Sequence, residues 1–127
     1  MSRAVLDTSV LVAEEQGRPL GPLPDQVSIS VVSLAELELG VLLARDATTR
    51  SRRLRTLIRV REVVRALPVD GSVASAFAAL VAELRQVGRR LDVNDAWIGA
   101  TAIANGAILY TQDADFDALP RLSVVRV

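Results

Sequence analysis

Short apolar runs rich in β-branched residues alternate along this chain with longer segments that have helical hydrophobic spacing. Helices that connect such strands usually cover both faces of a sheet. The alternation predicts a single α/β domain over residues 1–127, with a mainly parallel central sheet of four to five strands and helices on both faces. The predicted strands are 3–6, 27–32, 107–111 and 122–127, with 67–69 as a short connection or an edge strand.

The composition predicts a cytoplasmic protein with no membrane partner. Half of the 127 residues are hydrophobic, enough for one core in a chain too short for two comfortable domains. Glu36 and Glu38 interrupt the longest apolar stretch, and Asp7 interrupts the segment that a signal peptide would need. The absence of cysteine fits a reducing compartment.

The residue types that are missing narrow the chemistry available to this protein. Histidine, cysteine and lysine are absent, and all fifteen basic residues are arginine. The chain therefore lacks the usual general base, a thiol and a Schiff-base amine, and a serine nucleophile would have no activating partner. Carboxylates without nitrogen or sulfur ligands favour a hard cation, Mg²⁺ or Mn²⁺, if they bind a metal at all.

Four carboxylates are predicted near the carboxyl ends of the strands, where parallel sheets form their sites. Asp7 ends the first strand, and Glu36 lies in the first turn of the helix after the second. Asp113 follows the strand at 107–111, and Asp95 opens a helix that is apolar on nearly every side. Carboxylates gathered in one cleft would repel each other unless a divalent cation neutralised them.

Each of these acids also has an ordinary structural explanation. Asp7 could cap a helix or pair with an arginine, and Asp113 and Asp115 resemble turn acids. Glu36 completes an S-x-x-E capping box, and Asp95 suits the N-terminal end of a helix dipole. Helix N-caps are predicted at Thr8 or Ser9, Ser33, Thr48 or Thr49, Asp70 and Asn94.

Four short motifs, in this order and spacing, resemble those of a known family. They are D-T-S at 7–9, S-x-A-E-L-x-x-G at 33–40, N-D-x-x-I-x-A-T-A at 94–102 and T-x-D-x-D-F at 111–116. The whole chain resembles a PIN domain, and more narrowly the VapC-type ribonuclease toxins of bacterial toxin–antitoxin pairs. Gly99 departs from the commoner alanine of the third motif, and a packed helix should tolerate it.

The resemblance implies an Mg²⁺- or Mn²⁺-dependent endoribonuclease that hydrolyses RNA phosphodiester bonds, with transfer RNA or ribosomal RNA as the expected substrate. It implies that Asp7, Asp95 and Asp113 bind the metal directly or through water. Glu36 would be a ligand, itself or through water, or would orient the attacking water, with Thr111 and Asp115 in supporting positions. It also implies an antitoxin partner and a homodimer.

An arginine-rich segment has two interpretations. Eight arginines lie between residues 45 and 65, against two acids. They could form a solvated helix face or bind an RNA backbone, and a mixture of the two is expected. The candidates for RNA contact are Arg52, Arg55 and Arg59.

Two other functions compete with the nuclease. A catalytically inactive PIN-like module could keep the fold for protein contacts alone. A phospho-acceptor domain could use Asp7 at its strand end, although such sites typically employ a lysine, which this chain lacks.

Overall fold

The computed structural model describes residues 3–127, so the first two residues of the predicted domain lie outside it. The strands are β1 (Arg3–Leu6), β2 (Ser28–Ser30), β3 (Arg65–Leu67), β4 (Ala107–Thr111) and β5 (Val124–Arg126). The helices are α1 (Thr8–Glu15), α2 (Val31–Leu42), α3 (Ala47–Val63), α4 (Gly71–Gln86) and α5 (Val93–Ala104), followed by a 3₁₀ turn at Ala114–Phe116.

The strands form one sheet in the order β3-β2-β1-β4-β5, and every neighbouring pair is parallel. This confirms the predicted α/β fold and its central parallel sheet. The chain moves outward from β1 to β2 and β3 on one side, and β4 and β5 lie on the other. The order therefore reverses between β1 and β4, where α/β sheets open a crevice at the strand ends.

Two hydrophobic clusters cover the two faces of the sheet. Val5 and Leu109 pack with α4 and α5 residues such as Leu80. Leu6 lies in the other cluster, with residues of α1, α2 and α3 that include Leu37. Successive residues of β1 thus enter opposite cores, as the alternation of side chains along a strand requires. The predicted covering of both faces is confirmed.

Several predicted boundaries differ from those observed. β2 ends at Ser30 because the Ser30 Oγ accepts the Val32 N–H at 3.1 Å and starts α2 there. The predicted capping box at Ser33 is therefore wrong, and Ser33 lies inside the helix. The edge strand β3 lies at Arg65–Leu67, before the Pro68 ring that lacks a ladder N–H. β5 is also shorter than predicted.

Two further helix caps are aspartates rather than the predicted residues. The Asp92 carboxylate accepts the Asn94 N–H at 3.0 Å and caps α5, so the predicted cap at Asn94 is wrong. Asp46 caps α3 in the same way, by accepting the Thr49 N–H. The predicted cap at Thr48 or Thr49 is therefore wrong, and both residues lie inside the helix. The predicted cap at Asp70 is confirmed.

Helices α4 and α5 form a packed pair on one face of the sheet. Their contact includes Phe77 and Trp97, whose rings stack with centroids 3.8 Å apart. Across the described part of the chain, no helix has both the length and the apolar composition to cross a bilayer.

Candidate active site

Asp7 lies directly after β1, and hydroxyl groups are its partners. The residue is only 3% exposed. Its Oδ2 accepts hydrogen bonds from Ser9 Oγ at 2.6 Å and from Thr111 Oγ1 at 2.8 Å. Its side chain makes no cap bond to α1, so the predicted alternative of a capping aspartate is not what the structure shows. Both hydroxyls donate to the same carboxylate oxygen and leave Oδ1 without a hydrogen bond from the residues that the structure describes.

The same hydroxyls tie together the ends of β1 and β4. Ser9 Oγ accepts the Gln112 N–H at 3.1 Å, and Thr111 Oγ1 accepts the Asp113 N–H at 2.9 Å. Thr111 therefore joins Asp7 to the backbone of Asp113, and its supporting role stays a prediction. Ser9 was considered only as a helix cap, although a hydroxyl two residues after Asp7 was the available signal.

Glu36 is held at the opposite side of the crevice by a second pair of hydroxyls. Thr8 Oγ1 lies 2.8 Å from Glu36 Oε1 and 2.8 Å from Ser33 Oγ. Because a hydroxyl has one hydrogen, donation from Thr8 to the carboxylate leaves Ser33 as the donor to Thr8. Ser33 is fully buried. Thr8 and Ser33 are functional candidates that the sequence analysis treated only as caps.

Asp113 follows β4 and caps the 3₁₀ turn. Its Oδ1 accepts the Asp115 N–H at 2.8 Å. Asp115 thus reaches the site through its backbone, and its exposed side chain makes no hydrogen bond within residues 3–127. The predicted support from Asp115 is therefore a backbone contact in this structure.

Asp95 lies in the first turn of α5. Burial, followed by the like charges of Asp7, Asp92, Asp113 and Glu36, raises the pKa of Asp95 to about 7. Asp7, Glu36 and Asp113 are thus close enough to Asp95 for their charges to act on it. Asp92 is an additional neighbour that the sequence analysis did not nominate as a site residue.

The donor chemistry of this site fits a hard divalent cation. The donors are carboxylate oxygens, and a cation would relieve the repulsion that raises the pKa of Asp95. Asp7 Oδ1, Glu36 Oε2 and Asp113 Oδ2 accept no hydrogen bond from the residues that the structure describes. In the same residues, no three acidic side chains already form a metal-binding group. Cation binding would therefore require these side chains to move closer together.

The predicted RNA-contacting arginines lie on α3, and two of them pair with α1. Arg59 Nη2 is 3.1 Å from Glu14 Oε1. Arg52 Nε is 3.5 Å from Glu15 Oε2, a contact that lacks hydrogen-bond geometry. Arg55 donates to Ser51 Oγ at 3.1 Å. Their role in RNA binding stays a prediction, weakened for the two that have acidic partners.

Comparison with known proteins agrees with this architecture. The PIN domain family model matches residues 4–122. Ribonuclease VapC5 of Mycobacterium tuberculosis is 44% identical over 97% of this chain and 92% of its own. Ribonuclease VapC4 of the same organism is 39% identical, covering 98% of this chain and 97% of its own.

A solved structure has the same fold along its full length. The crystal structure of VapBC-5 from Mycobacterium tuberculosis, a member of the VapBC family of toxin-antitoxin systems, contains a chain that superposes with a TM-score of 0.88. The two chains are 39% identical and each is covered completely. This protein belongs to the PIN domain family and, within it, to the VapC type.

Proposed function

We propose that this protein is a metal-dependent endoribonuclease, the toxin of a toxin–antitoxin pair, which hydrolyses RNA phosphodiester bonds at Asp7, Glu36, Asp95 and Asp113. The observation that carries the proposal is the placement of the four acids: Asp7 and Asp113 follow the adjacent parallel strands β1 and β4, and Glu36 and Asp95 lie near the starts of α2 and α5. None of the four forms an ion pair with an arginine among residues 3–127. The ribonuclease names of the VapC relatives support the same activity.

Each acid has a distinct part in the proposed reaction. Asp7, Asp95 and Asp113 would hold Mg²⁺ or Mn²⁺ directly or through water. A cation bound there would stabilise charge on the phosphate and lower the pKa of a water molecule. Glu36 would orient the attacking water with Oε2, because Thr8 holds its Oε1. Ser9 and Thr111 would fix the direction of the Asp7 side chain by donating to its Oδ2.

Cleavage of purified transfer RNA and ribosomal RNA, with and without Mg²⁺ or Mn²⁺, tests this proposal. We expect cleavage only with the cation, and loss of cleavage in Asp7→Asn and in Asp95→Asn while the fold is kept. Asp25→Asn is the matched control, because Asp25 is exposed in the loop before β2. Wild-type cleavage by both site variants would contradict the assignment. Partner binding without any nuclease activity would favour the inactive interaction module instead.

The RNA class is the finer part of the proposal. Transfer RNA or ribosomal RNA is the expected substrate, and sequencing of new RNA ends after brief expression in cells would identify it. Ends confined to messenger RNA would contradict this expectation.

An antitoxin is the proposed protein partner, together with a second copy of this chain, in the cytoplasm. Five exposed apolar side chains on or beside α2 and α3 supply a surface for an apolar segment; they are Leu39, Leu42, Leu43, Leu54 and Ile58. The VapBC complex named above is a toxin–antitoxin structure, which supports a partner of the same kind. Co-expression with the protein encoded beside this chain should yield a stable complex without nuclease activity. Two proteins that do not purify together after co-expression would contradict the pairing.

A further inference from the structure

A cavity of about 520 Å³ lies at the C-terminal end of α4, where the chain turns towards α5. Its lining is partly apolar and partly basic. The apolar part comes from Val81, Leu84 and Leu91, and the basic part from Arg85, Arg89 and Arg90. No acidic residue of the described chain lines it. Guanidinium groups beside apolar side chains suit the phosphates and sugars of a nucleic acid backbone.

The end of α4 places these arginines together. The Gly88 N–H donates to the Arg85 carbonyl and the Arg89 N–H to the Leu84 carbonyl, which is the Schellman arrangement. Gly88 has a φ of +70°, the left-handed conformation that this cap requires. Because the cap occupies these two carbonyls, the partial negative charge of the helix end opposes an anion less. The turn brings Arg89 and Arg90 back beside Arg85.

The arginines that line this cavity differ from those of α3 in their partners. Arg85, Arg89 and Arg90 form no ion pair among residues 3–127. Two nearby acids already have arginine partners. Glu83 of α4 pairs with Arg121, and Asp117, whose carbonyl accepts from Arg89, pairs with Arg126. By contrast, the arginines of α3 that were expected to bind RNA include two with glutamate partners on α1.

Arg89 also connects the cavity to the carboxylate site. Its guanidinium donates to the carbonyls of Asp115, Asp117 and Ala118 at 3.4, 3.1 and 3.2 Å. Asp113 caps the turn at Ala114–Phe116, and these carbonyls lie within the turn or directly after it, so Arg89 helps to hold the turn that Asp113 caps. Arg90 and Asp95 are five residues apart and therefore within about 18 Å along the chain.

We propose that this cavity is a binding site for phosphates of the RNA backbone, with Arg85 and Arg90 as the phosphate ligands and Arg89 as the residue that positions the loop. The proposal rests on the ribonuclease function and names the surface by which the substrate is held. An RNA strand seated there would continue over the loop before α5 towards Asp95. Phosphate binding by arginine is independent of base sequence, so the site would supply affinity rather than selection of the cleaved bond.

The test measures the affinity of a fluorescein-labelled single-stranded RNA of mixed sequence by anisotropy. The protein carries Asp7→Asn, so the RNA stays intact whether or not the metal is present. We expect Arg85→Gln with Arg90→Gln to raise Kd roughly tenfold and to reduce the slope of log Kd against log salt by about 1.4, since two phosphate contacts are lost. Arg85→Lys with Arg90→Lys keeps both charges and should retain most of the affinity.

The matched control removes two exposed arginines from the opposite edge of the sheet. Arg3 and Arg65 begin β1 and β3, whereas the carboxylates follow the strand ends. Arg3→Gln with Arg65→Gln makes the same change in net charge and should leave Kd within about twofold. Circular dichroism would establish that every variant is folded.

Equal affinity of the Arg85/Arg90 variant and the Arg3/Arg65 control would overturn the proposal, as would the absence of RNA binding by the Asp7→Asn protein. A wild-type protein that binds RNA through Arg85 and Arg90 but does not cleave it with Mg²⁺ or Mn²⁺ would contradict only the ribonuclease function.

Discussion

The partners of Asp7 hold a nearly buried carboxylate in a fixed direction at the end of a strand. An arginine partner would occupy the carboxylate in an ion pair, whereas Ser9 and Thr111 donate hydrogen bonds to one of its oxygens only. The same two hydroxyls accept the backbone N–H groups of Gln112 and Asp113. The position of Asp7 therefore depends on contacts that also join the ends of β1 and β4.

Removal of the Ser9 hydroxyl should therefore affect both stability and cleavage. Ser9→Ala deletes the bond to Asp7 and leaves the part-buried Gln112 N–H without its acceptor. We expect a loss of about 1–2 kcal/mol in the free energy of unfolding, measured in urea, and slower cleavage at saturating RNA. Ser9→Thr, which keeps the hydroxyl, should recover most of both quantities. A variant as stable and as active as the wild type would show that Asp7 needs only Thr111.

The charge of Asp95 should make the metal-free protein less stable as pH rises. Its folded pKa of about 7 exceeds the ordinary 3.8, so the folded state binds more protons than the unfolded state between these values. Stability therefore falls as pH increases through this window. We expect Asp95→Asn to lack this fall and, at about pH 8, to melt a few degrees above the wild type.

The measurement is a thermal melt across pH in the presence of a chelator. Asp25→Asn again serves as the control, since Asp25 is exposed. Added Mg²⁺ should raise the Tm of the wild type at about pH 8 and have little effect on Asp95→Asn. A wild type and an Asp95→Asn variant with parallel pH profiles would contradict the crowding of charge at this position.

At the scale of the helices, the two glycines of α5 and of the end of α4 should respond oppositely to alanine. A Cβ at Gly99 would lie 3.5 Å from Leu80 Cδ2 and 3.6 Å from Leu122 Cδ2, which are ordinary contacts. Gly99→Ala should therefore stabilise by about 0.5–1 kcal/mol through helix propensity. Gly88→Ala should destabilise by about 1 kcal/mol, because Gly88 has a φ of +70°.

Urea denaturation of the two variants checks this pair of predictions. A destabilised Gly99→Ala would mean that Leu80 and Leu122 cannot accept the added methyl. A Gly88→Ala variant with the same free energy of unfolding as the wild type would mean that the cap at the end of α4 adopts another conformation at little cost.

The sequence was sufficient to predict the helices and strands and their order along the chain. It did not predict the residues at which several of them begin or end. Ser30 and Ser33 both satisfy the signal for the start of α2, and local spacing favoured Ser33. The structure uses Ser30 because Ser33 is needed in the buried contact with Thr8. Asp92 replaced Asn94 for a related reason, since either short polar side chain can accept an N–H at that helix start. The choice between two possible cap residues depends on tertiary contacts, which cannot be predicted from the spacing of residues in the sequence.

At the scale of the whole molecule, the strand order explains why acids far apart in sequence could be predicted to meet. Asp7 and Asp113 follow adjacent parallel strands, and Glu36 and Asp95 belong to helices that begin at the same edge. Two patterns were enough for this expectation: strands alternate with helices along the sequence, and parallel sheets form their sites at the carboxyl ends of the strands. They could not predict the hydroxyl partners of the acids or the basic cavity at the end of α4, because both depend on how loops and helix ends fold back.

The apolar surface on α2 and α3 should make the isolated chain prone to association. Leu42 and Leu43 are 71% and 66% exposed, so Leu42→Ser with Leu43→Ser should leave Tm nearly unchanged. We expect weaker binding of a hydrophobic dye and less concentration dependence in sedimentation velocity. Val87→Ser, at a side chain that is also 71% exposed, is the control. Equal dye binding by both variants would exclude this surface as the main apolar patch.

The stacked pair of Phe77 and Trp97 gives this protein a built-in optical reporter. Trp97 is the only tryptophan in the chain and lies two residues after Asp95, on the helix that carries it. Its emission depends on the packing of α4 against α5, and the C-terminal end of α4 carries the basic cavity. Arrival of a cation or of an RNA strand can therefore be followed by intrinsic fluorescence, without a label and on the time scale of mixing.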